Sequence, residues 1–476
     1  MSEPRIGTDE WVASVGGRKE RRGPLWEAWA RMPGSARLGA ALLAASLLPL
    51  LTDSDYVIRV GVNAVLFALL ALGLNVVVGY AGLLDLGYIA FYGFGAYTYA
   101  LLSSAHFDVH LATWQALPIV VAASALLGFL LGQTSRRLLG DYLAIVTLFF
   151  AQLFVTFTTN ANRITPPGRD EPFDLTGGPN GVPGTDPFAL FGFEATTVTD
   201  YFYIALATFA VVIVALHFLD QSRTGRAWRA LREDPLAAEA MTIPVNRLKL
   251  LAFAIGAATA GLTGSIFAAV QIGVFPQNFE LPLLITIYAM VILGGAGSLP
   301  GVVIGAVTIT VVLEVLRNPD DSRLIFYGVV AIALLAKLRP WQTLAVVVAG
   351  TVALGFVLRF LAEAFWERGT ARVALESGGW LTDAVESWVL LPTEPGDIGN
   401  VAFVALVVVV LALTQVGPAA RAVLLVPALY LGAFVWENRL VFQPSVTRLL
   451  LLGALLVLLM NARPQGLLGT PKVEIA

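Results

Sequence analysis

Runs of about 20 residues that are apolar on every side restrict what this chain can fold into more than any other feature does. Thr113 to Gly132, Tyr201 to Leu219 and Leu250 to Gln271 are strong examples. A helix on the surface of a soluble domain keeps a polar stripe for water, whereas these runs are hydrophobic all round. Lipid accepts them, because a helix satisfies its own backbone polar groups. Only 13% of the 476 residues are charged and 57% are hydrophobic, against roughly 25% charge in soluble domains. The expected fold class is therefore all-α, a polytopic transmembrane helical bundle.

Apolar stretches separated by charge or turn clusters number about fourteen, within a range of about twelve to fourteen. Their cores are 38–51, 60–79, 83–104, 113–132, 139–159, 201–219, 250–271, 282–297, 300–316, 323–338, 341–362, 399–415, 419–436 and 447–462. Threaded alternately through a bilayer, they should gather Lys and Arg on the cytoplasmic side. One set of connections holds Arg18 to Arg22, Arg136, Arg137, the cluster Arg223, Arg226, Arg229, Arg232, Arg247 and Lys249, then Lys337 and Arg339. The other set is acidic, with Asp170, Glu171, Asp174, Asp186 and Glu194 in 160–200, and Glu376, Asp383, Glu386, Glu394 and Asp397 in 363–398. This places both termini in the cytoplasm and the chain in the cytoplasmic (inner) membrane. The net charge of −3 gives no reason to expect nucleic acid. With no cysteine, disulfides and thiolate chemistry are excluded.

Four organisational segments are expected: a cytoplasmic N-terminal segment 1–37, a main transmembrane domain 38–340 with an inner loop 220–249, an additional membrane extension 341–446, and a final helix with a tail, 447–476. Ser322 to Pro340 echoes Thr447 to Pro464, each an apolar helix ending in Arg-Pro. An arginine that anchors in headgroups and a proline that ends the helix explain this by convergence; a repeated helix is the other reading.

Three motifs carry mechanism. In LGLNVVVGYAGLLDLGYIAFYGFGAYTYAL, Leu72 to Leu101, the residues Asn75, Gly79, Gly82, Asp85, Gly93 and Gly95 interrupt a spanning pattern. Glycines permit close helix packing, and they also permit the helix breaks by which transporters expose backbone dipoles to a polar solute near the midplane. Asp85 reads either as an intramembrane functional carboxylate or as part of a cytoplasmic turn. Gly294, Gly295 and Gly297 in VILGGAGSLPG read as a tight reversal or a half-helix break. The third motif is SRTGRAWRALREDPLAAEAMTIPVNRLKLLAF, Ser222 to Phe253. Its arginines recur every three residues as a basic stripe, Asp234 can cap a new helix, and Pro235 can open it. A short helix containing Ala237, Ala238 and Glu239 then stops before Pro244, with Arg229, Glu233 and Met241 flanking it. A capped helix on an inner loop is suited to insertion into a partner's groove; a positive-inside anchor would explain the arginines alone.

No G-x-x-x-x-G-K-[ST] loop precedes any of Lys19, Lys249, Lys337 or Lys472, so energy from ATP must arrive through a partner. His106 and His110 lack an acidic helper at catalytic spacing, and neither a metal nor covalent chemistry is expected.

In these residues the chain resembles the branched-chain amino-acid permease family of ATP-binding-cassette importers, in particular the larger M-type subunit. The resemblance runs through Gly73 to Tyr97, GDYLAIVTL (Gly140 to Leu148), LTGGPNGV (Leu175 to Val182), Gly225 to Phe253, ILGGAGSLPGVVIGA (Ile292 to Ala306) and RPQGLL (Arg463 to Leu468). It implies that Gly225 to Pro244 is a coupling element seated in a separate ATPase. It also implies a homologous second permease, two cytoplasmic ATPase subunits that bind ATP-Mg, an extracytoplasmic substrate-binding protein, surrounding membrane lipid, and no cofactor or catalysis in this chain. The 341–446 extension departs from the family pattern.

A zwitterion needs a polar, temporarily wet route through lipid, and the Gly-broken helices 73–97 and 282–300 are expected to line it. The alternatives are a permease for urea or short amides, a non-transporting scaffold, and an ion-coupled secondary transporter using Arg59, Asp85, Asp141 or Glu314.

Overall fold

The computed structural model describes residues 34–135, 141–165, 172–190, 192–317, 319–338, 341–365, 380–390 and 395–442, with 453, 457 and 466–468. Arg18 to Arg22, Arg136, Arg137, Arg339, Asp170, Glu171, Glu376, Glu394 and all but two residues of 447–462 lie outside these. By its contacts the chain divides into two compact units, Met1–Ile58 and Arg59–Ala476. The first contains helices α1 (Gly34–Ser46) and α2 (Leu48–Leu51) and the opening of α3 (Asp55–Leu74).

In the second unit, α3 continues into a wider π-turn, Asn75–Tyr80. Then follow α4 (Tyr88–Leu102), α5 (Thr113–Ser135), α6 (Asp141–Asn160), α7 (Val198–Gln221), α8 (Arg223–Glu233), α9 (Pro235–Ala240), α10 (Val245–Gln271), α11 (Leu281–Gly294), α12 (Leu299–Val315) and α13 (Pro319–Lys337). The later helices are α14 (Trp341–Phe365), α15 (Trp380–Trp388), α16 (Pro395–Gln415) and α17 (Pro418–Phe442). Six two-residue strands pair antiparallel: β1 (Ser103–Ser104) with β2 (Val109–His110), β3 (Val182–Pro183) with β6 (Gly273–Val274), and β4 (Ala189–Leu190) with β5 (Phe193–Glu194).

The bundle is built around α10, which packs along both α4 and α5. Gly95 lies against the Gly261 backbone, so neither helix presents a side chain at the crossing. With no hydrophobic drive in lipid, this close approach supplies the dispersion contacts that hold the helices together.

The span count differs from expectation. Among the described residues nine helices are long and apolar enough to cross a membrane, not about fourteen. The run 38–51 is split into α1 and α2, α4 and α12 are short, and α13 carries Asp320, Asp321, Arg323 and Lys337. A sequence window over 83–104 counts the irregular residues 83–87 as helix, which the structure does not form.

Candidate functional site

The basic end of the bundle is organised by α8. Ser222 caps it through hydrogen bonds from Thr224 N–H (3.1 Å) and Gly225 N–H (3.3 Å). Its inner face is Trp228 and Leu231, both buried; Trp228 stacks on Tyr80 at 6.4 Å and donates to Leu248 O at 2.9 Å. The arginine stripe divides its labour. Arg226 and Arg229 turn back to Gln221 O (2.9 Å) and Asp220 O (3.0 Å), satisfying carbonyls at the end of α7, where a cation also suits the helix dipole. Arg232 instead points into the bundle and donates to Gly79 O at 2.6 Å and Ala296 O at 3.4 Å.

This single guanidinium joins both glycine motifs. Gly82 and Gly297 have positive φ of 67° and 92°, which side chains rarely adopt. They also make room for Arg232: a Cβ on Gly82 would lie 3.0 Å from its Cγ, and one on Gly297 2.5 Å from its Nη1. Across the junction, Gly297 N–H donates to the buried Asn75 Oδ1 at 2.7 Å, and Gly79 packs on the same amide. The π-turn is what brings Asn75, Gly79 and Tyr80 to this face, in keeping with the frequent placement of such bulges at functional positions. On the far side of the second motif, Leu467 N–H and Leu468 N–H donate to Leu293 O (2.8 Å) and Gly294 O (3.1 Å), and Gly466 packs on Gly295.

The structure thus assembles Asn75, Gly79, Gly82, Gly294, Gly295 and Gly297 at one end of the bundle. Asp85 lies in the irregular stretch before α4, buried, with Oδ1 accepting from Gly87 N–H at 2.8 Å and Oδ2 without a hydrogen-bond partner. Its backbone O accepts from the Tyr288 hydroxyl, and the neighbouring Leu86 N–H is held by Thr147 Oγ1 at 2.9 Å. Gly93 and Gly95 sit apart from this group, within α4, as packing positions against Phe154, Phe279 and Gly261.

Beyond Arg232 the chain forms the knob. Asp234 Oδ1 accepts from Leu236 N–H (2.8 Å) and Ala237 N–H (3.1 Å), with Pro235 opening α9. Ala238 alone is buried, while Glu233, Pro235, Ala237 and Glu239 are exposed and Leu236 and Met241 show 77% and 75% of their surface. In the sequence Arg232 is one member of the basic stripe and is not among the expected coupling residues; the signal that sets it apart is its i, i+4 spacing from Trp228, which puts both on one helix face.

At the acidic end, β3 pairs with β6, and His110 Nδ1 meets Asp186 Oδ2 at 2.7 Å. The hydrogen bond to Asp186 and its charge, with Asp108 adding, raise the His110 pKa above the ordinary value. The contact is therefore strongest below the ordinary histidine pKa of about 6.5 and fades as pH rises through the raised value. In a histidine titration by NMR, Asp186→Asn should bring the His110 midpoint down; an unchanged midpoint would mean the pair does not form. Among the described residues no three His, Asp or Glu side chains gather as a metal-binding group.

Helices of spanning length, tied by hydrogen bonds at both ends, define an all-α, multi-pass membrane protein. A family model described as "branched-chain amino acid transport system / permease component" matches residues 56–335, and the chain belongs to that family. It is 36% identical over 294 residues to the high-affinity branched-chain amino acid transport system permease protein LivM of Salmonella typhimurium, covering 57% of this chain and 66% of the relative. It is 37% identical over 286 residues to LivM of Escherichia coli K12, covering 55% and 64%. Pseudomonas aeruginosa BraD is 26% identical over 252 residues, covering 52% and 80%. The chain thus spans just under two thirds of the length of the two LivM relatives, and α14 to α17 lie beyond the family match. No solved structure matches the chain.

Proposed function

We propose that the chain is one permease subunit of an ATP-driven importer of branched-chain amino acids. It would work with a homologous second permease, two ATPase subunits and a binding protein that delivers the substrate. In this reading the basic end faces the cytoplasm, both termini lie there, and the acidic end receives the binding protein. The family and the names of its LivM relatives support the substrate class. The single observation that carries the mechanism is that the exposed knob Pro235–Ala240 begins three residues after Arg232, which hydrogen-bonds both glycine motifs. A push on Leu236 or Met241 from an ATPase groove is thereby delivered to Gly79 and Ala296.

The test is reconstitution of the complete complex in proteoliposomes. With binding protein and ATP, leucine should accumulate and urea should not, and the chain alone should accumulate nothing from an ion gradient. Glu239→Arg, and deletion of Leu236 to Met241, should each leave ATP hydrolysis no longer coupled to uptake. Normal coupled transport in both variants rejects the coupling role.

A further inference from the structure

Phe279 is fully buried at the end of a short 3-10 turn, Pro276–Phe279, between β6 and α11. Its ring is met by Tyr92 at 5.3 Å and by Tyr97, Phe154 and Phe267 each at 6.1 Å, with interplanar angles of 55° to 79°. Three of the four are the edge-on contacts that favour aromatic pairs, and that with Tyr97 is tilted. The walls stand on α4, α6 and α10. The floor is Gly93, where a Cβ would lie 2.7 Å from Phe154 Cζ and 2.9 Å from Phe279 Cγ.

The box and its occupant are supported differently. The walls belong to long helices, whereas Phe279 hangs on a link fastened to the acidic-end loop. Val274 pairs with Val182, Gln277 Nε2 donates to Pro179 O at 3.3 Å, and Gly181 packs on Val274 O. Leu175 N–H and Thr176 Oγ1 hold the start of that loop to Ala161 O (2.9 Å) and Thr158 O (2.7 Å) at the end of α6, so a displacement of its second half, Pro179 to Val182, pulls on the backbone that carries Phe279 and leaves those anchors in place. The ring-lined box then lacks its apolar filling, and an aliphatic side chain replaces that filling without leaving a polar group unpaired. The four rings carry no charge and their polar atoms are the hydroxyls of Tyr92 and Tyr97, so a charged side chain would find no counter-ion there.

We propose that Phe279 is the outer plug of the route, and that the box of Tyr92, Tyr97, Phe154 and Phe267 is a transient site for the aliphatic side chain of the transported amino acid. The proposal rests on the importer reading above. Occupancy is brief, since a conducting site must bind weakly enough to release. The loop that receives the binding protein thus withdraws the plug, and the box favours apolar over charged cargo.

The chain has no cysteine, so a Tyr92→Cys substitution supplies its only thiol. In the complete complex in proteoliposomes, a membrane-impermeant thiol reagent added outside should label that thiol slowly while Phe279 is present. Adding Phe279→Ala should speed labelling of this chain, read by mass spectrometry, by about tenfold or more as the closed population falls. Millimolar leucine should slow the faster labelling, and glutamate should not. Phe279→Leu, which keeps most of the apolar volume, should give an intermediate rate and covers the case in which the alanine variant fails to assemble. Unchanged labelling in the assembled Phe279 variants overturns the plug. Equal protection by leucine and glutamate, or by neither, overturns the aliphatic site. ATP-driven leucine uptake by the unsubstituted complex is measured separately, and its absence sinks the importer reading instead.

Discussion

Arg232→Ala is expected to abolish ATP-driven leucine uptake in the assembled complex while leaving ATP hydrolysis in place. The guanidinium bonds Gly79 O and Ala296 O and lies where a side chain on Gly297 would be, while its stem fills the space left at Gly82. A hydrogen bond from a charged donor contributes about 1.5–3 kcal/mol, and an abandoned buried carbonyl costs a similar amount. A loss near 3 kcal/mol is about a hundredfold in the ratio of tied to untied states, since each 1.4 kcal/mol is tenfold. The knob would still bind its ATPase, but its movement would no longer reach the Asn75–Gly82 and Gly295–Gly297 segments. Arg232→Lys should recover a fraction, because an ammonium can reach one carbonyl but lacks the planar fork. Arg223, exposed at the start of α8, is the control, and Arg223→Ala should transport normally. Uptake in the Arg232→Ala complex at the wild-type ratio to ATP hydrolysed would show that force passes elsewhere.

The sequence makes some of this arrangement visible and hides the rest, for physical reasons. Long apolar runs are visible because lipid tolerates few exceptions, and the Asp234-Pro235 cap is visible because it is local chemistry. Four arginines at three-residue spacing are indistinguishable on paper. Which of them enters the bundle is decided by the rotation of α8, and that is set by Trp228 and Leu231 settling against Tyr80 and α10. The meeting of Asn75 with Gly297, more than two hundred residues later, has no local signature. The same holds for the docking of Gly466 to Leu468 on α11 and the pairing of β3 with β6, which join segments far apart in the chain. Gly93 and Gly95 looked like further breaks because composition alone does not separate a broken helix from a tightly packed one; α4 runs through both.

The second large effect concerns helices that the family match does not reach. Glu437→Leu is expected to destabilise the α13 to α17 region by about 3–5 kcal/mol, the usual cost of leaving one member of a buried ion pair behind. Arg323 Nε donates to Glu437 Oε2 at 2.8 Å and the Tyr327 hydroxyl to Oε1 at 3.2 Å, with 0% and 1% of the two charged side chains exposed. Three residues on in α13, and at the neighbouring position of α17, the contact continues as Phe326 stacked on Trp436 at 4.4 Å, and α17 also supplies Tyr430, Ala433 and Phe434 to a core with Val385 and Val389. Arg323 belongs to the stretch matched by the family and Glu437 to the extension, so this pair fixes the register of one on the other. Replacing both, as Arg323→Met with Glu437→Leu, should recover most of the loss, because a well-packed apolar pair avoids the desolvation that the ions incur. Thermal unfolding in detergent, followed by tryptophan fluorescence, would read Arg323→Met, Glu437→Leu and the double variant. A coupling energy below about 0.5 kcal/mol in that cycle would mean that the ion pair does not hold the extension in place.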